Sequence, residues 1–500
     1  MSLSNGRNMT SAISNIDIRK DRMPLHEAAF WMMAFFLGGV FIGSVFAGST
    51  HPFLAATEVA ILCAAIFLVF RRREFAALAL YIAFGAAYFG WFDARARDVS
   101  VPYGEKTAVS GIIRSATRWT DRQELIVELV PPERGRLRIA TMSVPERAYG
   151  EELRLSGTIR ERDGTNGRDI RDRIAGTMAF PGIEVVGAGR GSPFIAFLLR
   201  VKSSVEDAFQ RFLPPERAAF ISGLTIGETA GFSDALREEF RRTGTSHLVA
   251  LSGYNIAVIA QAIAAVTGFI FARRAAFAAA TAGIFVFVLM TGAEASVVRA
   301  GIMGFLVLLA DQAGRFYSFR NAIAVAAFLM VLANPYMLWF DVGFQLSFVA
   351  VAGIVYVKPA FMGAFRVPST PGFLGWRNNL WTTISAQVAV LPILLLVFGS
   401  FSVLSVVVNL LVLLFIPATM ALGFLVAGLS FVSSFLALSV AWLTDIFLRY
   451  ELGVIHFFSQ QGGFIEVHGF GVPLVVLYYG ALGIFLCFVQ QRKPYEAIRA

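Results

Sequence analysis

The sequence predicts a polytopic α-helical membrane protein of about twelve spans, with a small β-rich domain inserted after the third span. Three observations support this fold class. Of the 500 residues, 56% are hydrophobic and only 15% are charged, whereas the surface of a water-soluble domain requires about a quarter charged residues. Long apolar runs recur along the chain, with clusters of Lys and Arg between alternate pairs of runs. One long interval, residues 93–246, breaks this apolar pattern.

The apolar runs predict the individual spans, because a helix needs about 20 apolar residues to cross a bilayer. The predicted spans are 28–48, 53–70, 75–92, 247–270, 275–291, 297–313, 321–338, 342–358, 378–397, 403–424, 428–448 and 470–489. The first run is too long for the apolar part of a secretory signal, so we expect an uncleaved span. The join near Gly423 is either a turn or a kink.

Basic residues set the predicted orientation, because cytoplasmic loops are enriched in Lys and Arg. With the N-terminus inside, every basic cluster falls on the cytoplasmic side; the clusters lie near 19–22, 71–73, 273–274, 315–320, 358–377 and 492–493. We therefore expect a multi-pass protein of a bacterial plasma membrane, with both termini cytoplasmic and residues 93–246 outside. The net charge of +9 follows from this bias as readily as from nucleic-acid binding.

The interval outside the membrane has two parts. Five short alternating runs lie at 108–117, 124–130, 136–142, 153–160 and 177–186. Their spacing is typical of a small β-barrel or sandwich. Beyond them, residues 194–212 place their apolar side chains on one helical stripe. Residues 236–242 predict a second amphipathic helix, with Ser233 as its N-cap. We expect both helices to lie on the outer face of the membrane.

The chain is thus predicted to divide into five parts: a cytoplasmic segment with three spans, a β domain, amphipathic helices, a multispan domain and a cytoplasmic tail. Their bounds are 1–92, 93–190, 191–246, 247–490 and 491–500.

Residues that usually carry catalysis or bind cofactors are sparse. Cys63 and Cys487 both lie in apolar runs, which excludes a disulfide framework and a cysteine zinc site. The five histidines are not spaced as metal ligands, and no GxxxxGK[ST] nucleotide-binding motif occurs. His247 and Ser252, as base and nucleophile, would point in different directions on a helix. We therefore expect no enzyme, no metal and no cofactor.

Polar residues within the predicted spans mark the candidate functional site, because a membrane interior penalises polar groups. The candidates for lining or gating a polar route are His247, Ser252, Gly253, Asn255, Arg299, Gln345, Ser347, Gln387, Pro392 and Asn409. Broken or kinked helices with polar groups at the breaks recur in transport pathways. Two plainer alternatives stay open. Asn255 would be a hydrogen-bond partner between helices at a satisfied helix start, and Arg299 would reach the outer headgroups.

Four ordered blocks resemble the ComEC-type competence family. The first is "FISGLTIGETAGFSDALREEFRRTGTSHLVALSGYNIAVIA" at 220–260, which is similar to the family signature. It is followed by "ASVVRAGIM" (295–303), "NPYMLWFDVGFQLSFVAVAGI" (334–354) and "SAQVAVLPILL…NLLVLLFIPATM" (385–420), in the family's order. The resemblance is strong over about 190–430 and extends to the β insert, which is similar to the family's OB-like domain.

The resemblance implies a plasma-membrane channel that passes single-stranded DNA into the cytoplasm during natural transformation. An OB-like domain would receive the strand by stacking and backbone charge, with Arg114, Arg118 and Trp119 as candidates. The implied partners are single-stranded DNA, membrane lipid, a DNA receptor outside, a helicase-type ATPase inside and a further copy of the chain.

Two departures from the family pattern matter. Asn255 stands where the family usually has a His. Many members also carry a C-terminal metallo-β-lactamase-like domain, which these 500 residues lack. We therefore expect one of three explanations: a separate protein supplies the nuclease, the chain is truncated, or its function has changed. The alternative function is a family-derived transporter of another anion, or an envelope-assembly protein with no DNA role.

Overall fold

The computed structural model describes residues 23–46, 57–59, 61, 62, 65, 73–119, 121–162, 166–249, 251–368 and 375–491. The chain forms two compact units. The first consists of Met1–Arg95 and Ser318–Trp339, and the second of Ala96–Tyr317 and Phe340–Ala500.

Helices dominate the described residues. In chain order they are α1 (Leu25–Val45), α2 (Arg73–Ala96), α3 (Gly167–Arg171), α4 (Pro193–Phe212), α5 (Pro215–Ile226), α6 (Asp234–Thr243), α7 (Ser246–Val249), α8 (Gly253–Ile270), α9 (Arg273–Met290), α10 (Ala295–Gln312), α11 (Phe319–Ala333), α12 (Met337–Phe340), α13 (Val342–Ala352), α14 (Lys358–Ala364), α15 (Trp376–Phe398), α16 (Ser405–Val412), α17 (Ile416–Ser430), α18 (Ser434–Ser459) and α19 (Val472–Gln491). A π-helical turn, Gly353–Val357, joins α13 to α14.

The strands are β1 (Lys106–Arg118), β2 (Arg122–Leu129), β3 (Arg136–Met142), β4 (Glu152–Thr158), β5 (Arg160–Glu161), β6 (Ile174–Ala179), β7 (Gly182–Gly187), β8 (Ser400–Ser402) and β9 (Phe464–Glu466).

Eight helices of the described chain are long and apolar enough to cross a membrane, or nine if the bent pair α16–α17 forms one span. This is the pattern of a polytopic membrane protein. Nine of the twelve predicted spans correspond to these helices, and the predicted count is not confirmed. Span 53–70 lies largely outside the described residues. Span 321–338 corresponds to α11, which has only 15 residues.

The remaining predicted span, 428–448, differs most from the structure. Helix α17 continues through Gly423 to Ser430, and α18 begins at Ser434 and continues to Ser459. The bend of 50° instead separates α16 from α17. The helix α18 also carries Asp445, Arg449 and Glu451, and these three charged groups explain why it is not among the apolar spans.

The first unit packs α1, α2 and α11 closely together. A β-carbon at Gly39 would collide with the carbonyl oxygen of Ile82, and one at Gly85 with that of Phe36. Glycine at both positions therefore allows the backbones of α1 and α2 to touch. Tyr336 is buried in this unit and donates a hydrogen bond from its hydroxyl to Asp93 Oδ1 at 2.7 Å.

A seven-stranded sheet forms the predicted β domain in the second unit, with strand order β5-β6-β3-β2-β1-β4-β7. All pairs are antiparallel except β3 with β6. The predicted run 177–186 is in fact two strands, because Phe180 has a positive φ of 48° and precedes Pro181. The chain turns there, and β6 and β7 pair with different neighbours.

Beyond the sheet, α4 and α6 lie where the two amphipathic helices were predicted. Ser233 caps α6 by accepting a hydrogen bond from the backbone N–H of Leu236. Between them lies α5, a helix that we did not predict separately. Its residues 218–226 are all buried, and it lies in one apolar core with parts of α6, α8, α16, α17 and α18.

Candidate functional site

The fourth predicted span, 247–270, is interrupted near its start. Helix α7 ends at Val249, and α8 begins at Gly253 with Ser252 as its N-cap. The side chain of Asn255 is fully buried, and its hydrogen bonds join the chain segments on either side of this break. Its Nδ2 donates to the carbonyl oxygens of Leu224 and Leu248, at 3.3 and 3.2 Å, and its Oδ1 accepts from Ser252 Oγ at 3.0 Å. The geometry therefore fits the alternative in which Asn255 joins helices at a satisfied helix start.

Arg299, on α10, lies against the same break. A β-carbon on Gly253 would lie 2.6 Å from Nη2 of Arg299. Ser296, one turn earlier on α10, donates from Oγ to the carbonyl oxygen of Leu251 at 2.6 Å. These two contacts dock the first turn of α10 onto residues 251–253. The candidates Ser252, Gly253, Asn255 and Arg299 are thus neighbours.

The guanidinium of Arg299 is buried but has no counter-charge. The residue is only 6% exposed, so it does not extend outward in the way that a snorkelling side chain does. Within the described chain, Nε has no hydrogen-bond partner and no charged group acts on the guanidinium. The ring of Phe348 lies 5.7 Å from the guanidinium carbon. A cation–π contact contributes about 2 kcal/mol when desolvated, whereas an uncompensated buried charge costs about 3–5 kcal/mol. The site therefore favours an anion or water beside Arg299.

A second polar cluster joins α15, α16 and the turn before α7. Gln387 Nε2 donates to Ser405 Oγ at 2.8 Å, and Ser405 Oγ donates to the carbonyl oxygen of Ser402 at 2.7 Å. Gly244 ends α6 in the left-handed conformation and leaves no room for a side chain, because a β-carbon would lie 2.7 Å from Cβ of Ser405. His247 Nδ1 donates to the carbonyl oxygen of Gly244 at 3.2 Å.

Pro392 lies inside α15 and changes its hydrogen bonding. Proline has no N–H, so the carbonyl of Val388 lacks its helical donor. The hydroxyl of Tyr478 on α19 donates to that oxygen at 2.8 Å, and Tyr479 donates to the carbonyl of Ala389 at 2.9 Å. The carbonyl that proline leaves without a helical donor is therefore satisfied from a neighbouring helix, as buried backbone groups require.

Three further candidates lie on α13 and α16. Asn409 is 1% exposed, and its Oδ1 has no hydrogen-bond partner in the described chain. Gln345 and Ser347 lie half-buried on α13, the helix that carries Phe348. The structure thus brings together four candidates around α8 and α10, whereas Gln387 and His247 are linked only through Ser405 and Gly244.

The three DNA-binding candidates of the β domain are already engaged. Arg114 pairs with Glu128 across β1 and β2, and Arg118 pairs with Glu146 at 3.2 Å. The guanidinium of Arg237 on α6 lies 4.4 Å from the ring of Trp119. These contacts leave Arg114 and Arg118 with little unpaired charge.

A cleft of about 270 Å³ opens between α4 and α5. Glu206 and Glu228 line it, and Lys202 pairs with Glu228 at 2.9 Å. Burial raises the pKa of Glu206, and the nearby charge of Glu228 raises it further. None of the ten candidate residues lines this cleft.

Charged groups on α18 were missed in the sequence. Glu451 is fully buried, and its Oε1 accepts a hydrogen bond from Thr419 Oγ1 at 2.6 Å. Asp445 pairs with Arg217 of α5 at 2.7 Å. The signal available was a pair of acidic residues at the end of predicted span 428–448, with Asp445 inside it and Glu451 just beyond it. This is also the ordinary pattern of a helix leaving the membrane.

Comparison with known proteins gives the family. The competence protein family matches residues 224–493, which is more than half of the chain. ComE operon protein 3 of Bacillus subtilis (strain 168) is 29% identical over 307 residues, which cover 59% of this chain and 37% of that protein. This chain therefore spans little more than a third of the length of that relative. No solved structure matches the chain, and the OB-like assignment of the β domain stays a prediction. By the extent of the family match, the chain belongs to the competence protein family, as its ComEC-type motifs predicted.

Proposed function

We propose that the chain is the membrane-conducting part of a DNA-uptake system and passes single-stranded DNA into the cytoplasm. The observation that carries this proposal is the extent of the family match. Residues 224–493 contain all ten residues predicted to line or gate a polar route. The proposal includes a multi-pass location in the plasma membrane, with both termini cytoplasmic, and no enzyme activity of the chain itself.

The physical requirement for conduction is a path that replaces the hydration of phosphate groups. Two features of the second unit suit this requirement. The amide of Gln387 lies in the middle of the apolar helix α15 and bonds to the hydroxyl of Ser405 at the start of α16. The buried guanidinium of Arg299 has no protein counter-charge among the described residues.

The proposal also includes the partners that the resemblance to the ComEC-type family implies. With no nucleotide-binding motif in its sequence, the chain would depend on a cytoplasmic helicase-type ATPase to pull the strand. A receptor outside would deliver DNA to the β domain, and a separate nuclease would degrade the other strand. For a base to stack on Trp119, it would have to displace Arg237 from the ring.

The test is internalisation of labelled DNA by a strain that lacks the gene. We expect the deletion to abolish nuclease-resistant DNA in the cytoplasm, and the wild-type gene to restore it. Gln387→Leu should restore less than a tenth of wild-type uptake at equal membrane levels, because an apolar side chain breaks the polar path. Gln261→Leu is the matched control, since Gln261 lies on the exposed side of α8. Normal uptake in the deletion strain would instead favour a transporter or assembly protein with no DNA role.

A further inference from the structure

We propose that Arg299 and the N-terminus of α8 form a binding site for one phosphate group. Resting on the proposed function, the ligand is a phosphodiester of the transported strand. The site comprises the guanidinium of Arg299 and the first backbone N–H groups of α8, at Gly253 and Tyr254.

The first observation is the direction of the guanidinium. Arg299 is 6% exposed, and its Nη2 lies 2.6 Å from the position that a β-carbon on Gly253 would occupy. Its Nε has no hydrogen-bond partner within the described chain. The side chain is therefore aimed at the start of α8 and still has donors to offer.

The second observation is the state of the helix terminus. Helix α8 has 18 residues, so its N-terminus carries a full dipole. The N–H of Asn255 donates to Ser252 Oγ, and the N–H of Ile256 donates to the carbonyl of Ser252. The N–H groups of Gly253 and Tyr254 donate to no acceptor in the part of the chain that the structure describes. Free N–H groups at a helix N-terminus attract anions.

The site is also preorganised before a ligand binds, and it is open on one side. The bond from Ser296 to the carbonyl of Leu251 holds α10 against the loop. Gly253 is half-buried and Tyr254 is 45% exposed, so a ligand reaches the terminus from that side. A planar guanidinium and two convergent N–H groups offer donors from two directions. A tetrahedral phosphate accepts from both at once.

The test uses the purified full chain in a maltoside detergent, with a fluorescent oligodeoxythymidylate as probe. For Arg299→Met we expect about tenfold weaker binding, and a salt dependence shallower by about 0.7 in log–log slope, the value of one single-strand phosphate. Gly253→Ala keeps the arginine but displaces its guanidinium, and should also weaken binding several-fold. Neither change should affect a neutral methylphosphonate oligomer. Gel filtration and the melting temperature check that both variants are folded.

Arg315→Met, an exposed arginine just beyond the other end of α10, is the matched control and should bind like the wild type. Wild-type affinity and slope in both Arg299→Met and Gly253→Ala would overturn the site. Retention of a phospholipid by the wild type but not by Arg299→Met, with unchanged oligonucleotide affinity, would overturn its assignment to the strand. Loss of the phosphate-dependent binding on Arg299→Met, together with normal DNA uptake in the deletion strain, would support the site and remove the proposed function.

Discussion

The amide of Asn255 holds three segments of the chain together. It bonds to Leu224 of α5, to Leu248 of α7 and to Ser252, the cap of α8. The residue is completely buried, so water does not replace a bond that is lost. Its contribution is therefore to fix the break between α7 and α8, against which Arg299 is positioned.

Asn255→Leu should lower the free energy of unfolding by about 1–3 kcal/mol, because two carbonyl oxygens lose a buried donor. Asn255→His should lose less, since an imidazole still offers one donor and one acceptor. The measurement is thermal unfolding of the purified chain in detergent. Tyr254→Leu is the control, because Tyr254 is 45% exposed. If Asn255→Leu were no less stable than this control, the amide would not be holding the break.

The sequence identified individual candidate residues, but it did not predict which residues they contact. Arg299 and Asn255 stood out because each is polar within an apolar run. The contact between Arg299 and Gly253 joins positions 46 residues apart, and nothing in local patterning encodes it. Glu451 was missed because an acidic residue near a helix end is usually solvated, whereas here it is inside a core.

Among the helices, α15 depends on α19 for part of its hydrogen bonding. Pro392 leaves the carbonyl of Val388 without its helical donor, and Tyr478 supplies one. Tyr478→Phe should therefore cost about 1 kcal/mol of unfolding free energy. In a Pro392→Ala background the new N–H satisfies Val388, so the same change should cost close to nothing. Thermal unfolding of the four proteins of this double-mutant cycle measures the coupling.

Tyr479→Phe is the matched control for the cycle. Its hydroxyl bonds the carbonyl of Ala389, which also has a helical donor four residues on, at Ile393. The cost of Tyr479→Phe should therefore be the same with proline or alanine at position 392. If the cost of Tyr478→Phe were also the same with proline or alanine at position 392, the hydroxyl of Tyr478 would not be replacing the donor that Pro392 removes.

Among the elements, hydropathy predicted the positions of most apolar helices, but it did not predict the end of α17 or the presence of α5. Mean hydropathy over about 20 residues is a local property, so it located nine spans within a few residues of the observed helices. The end of α17 was misplaced because apolar residues continue through the turn before α18. Helix α5 was missed because it is buried on all sides and has no polar stripe to reveal its period.

For the whole molecule, the β domain and the helices of the second unit are joined by specific contacts. Arg171 of α3 donates from Nη1 to Asp341 Oδ2 at 3.1 Å, and Asp341 also caps α13. Arg237 of α6 covers Trp119 of the β domain. These contacts place the sheet on the side of this unit where α6 and α13 begin. That side is outside the cell only if the orientation inferred from basic residues is correct.

Two single-cysteine variants test that orientation. Cys63 and Cys487 are first changed to Ser, and then Glu105→Cys or Arg315→Cys is introduced at exposed positions. Cytoplasmic enrichment of Lys and Arg places residue 315 inside and residue 105 outside. A membrane-impermeant maleimide applied to spheroplasts should therefore label Cys at 105 at least tenfold more than Cys at 315, since a bilayer excludes charged reagents. Permeabilised cells, in which both sites should react equally, control for reactivity. Selective labelling at 315 would invert the orientation and turn the β domain, with the open end of the α8 site, towards the cytoplasm.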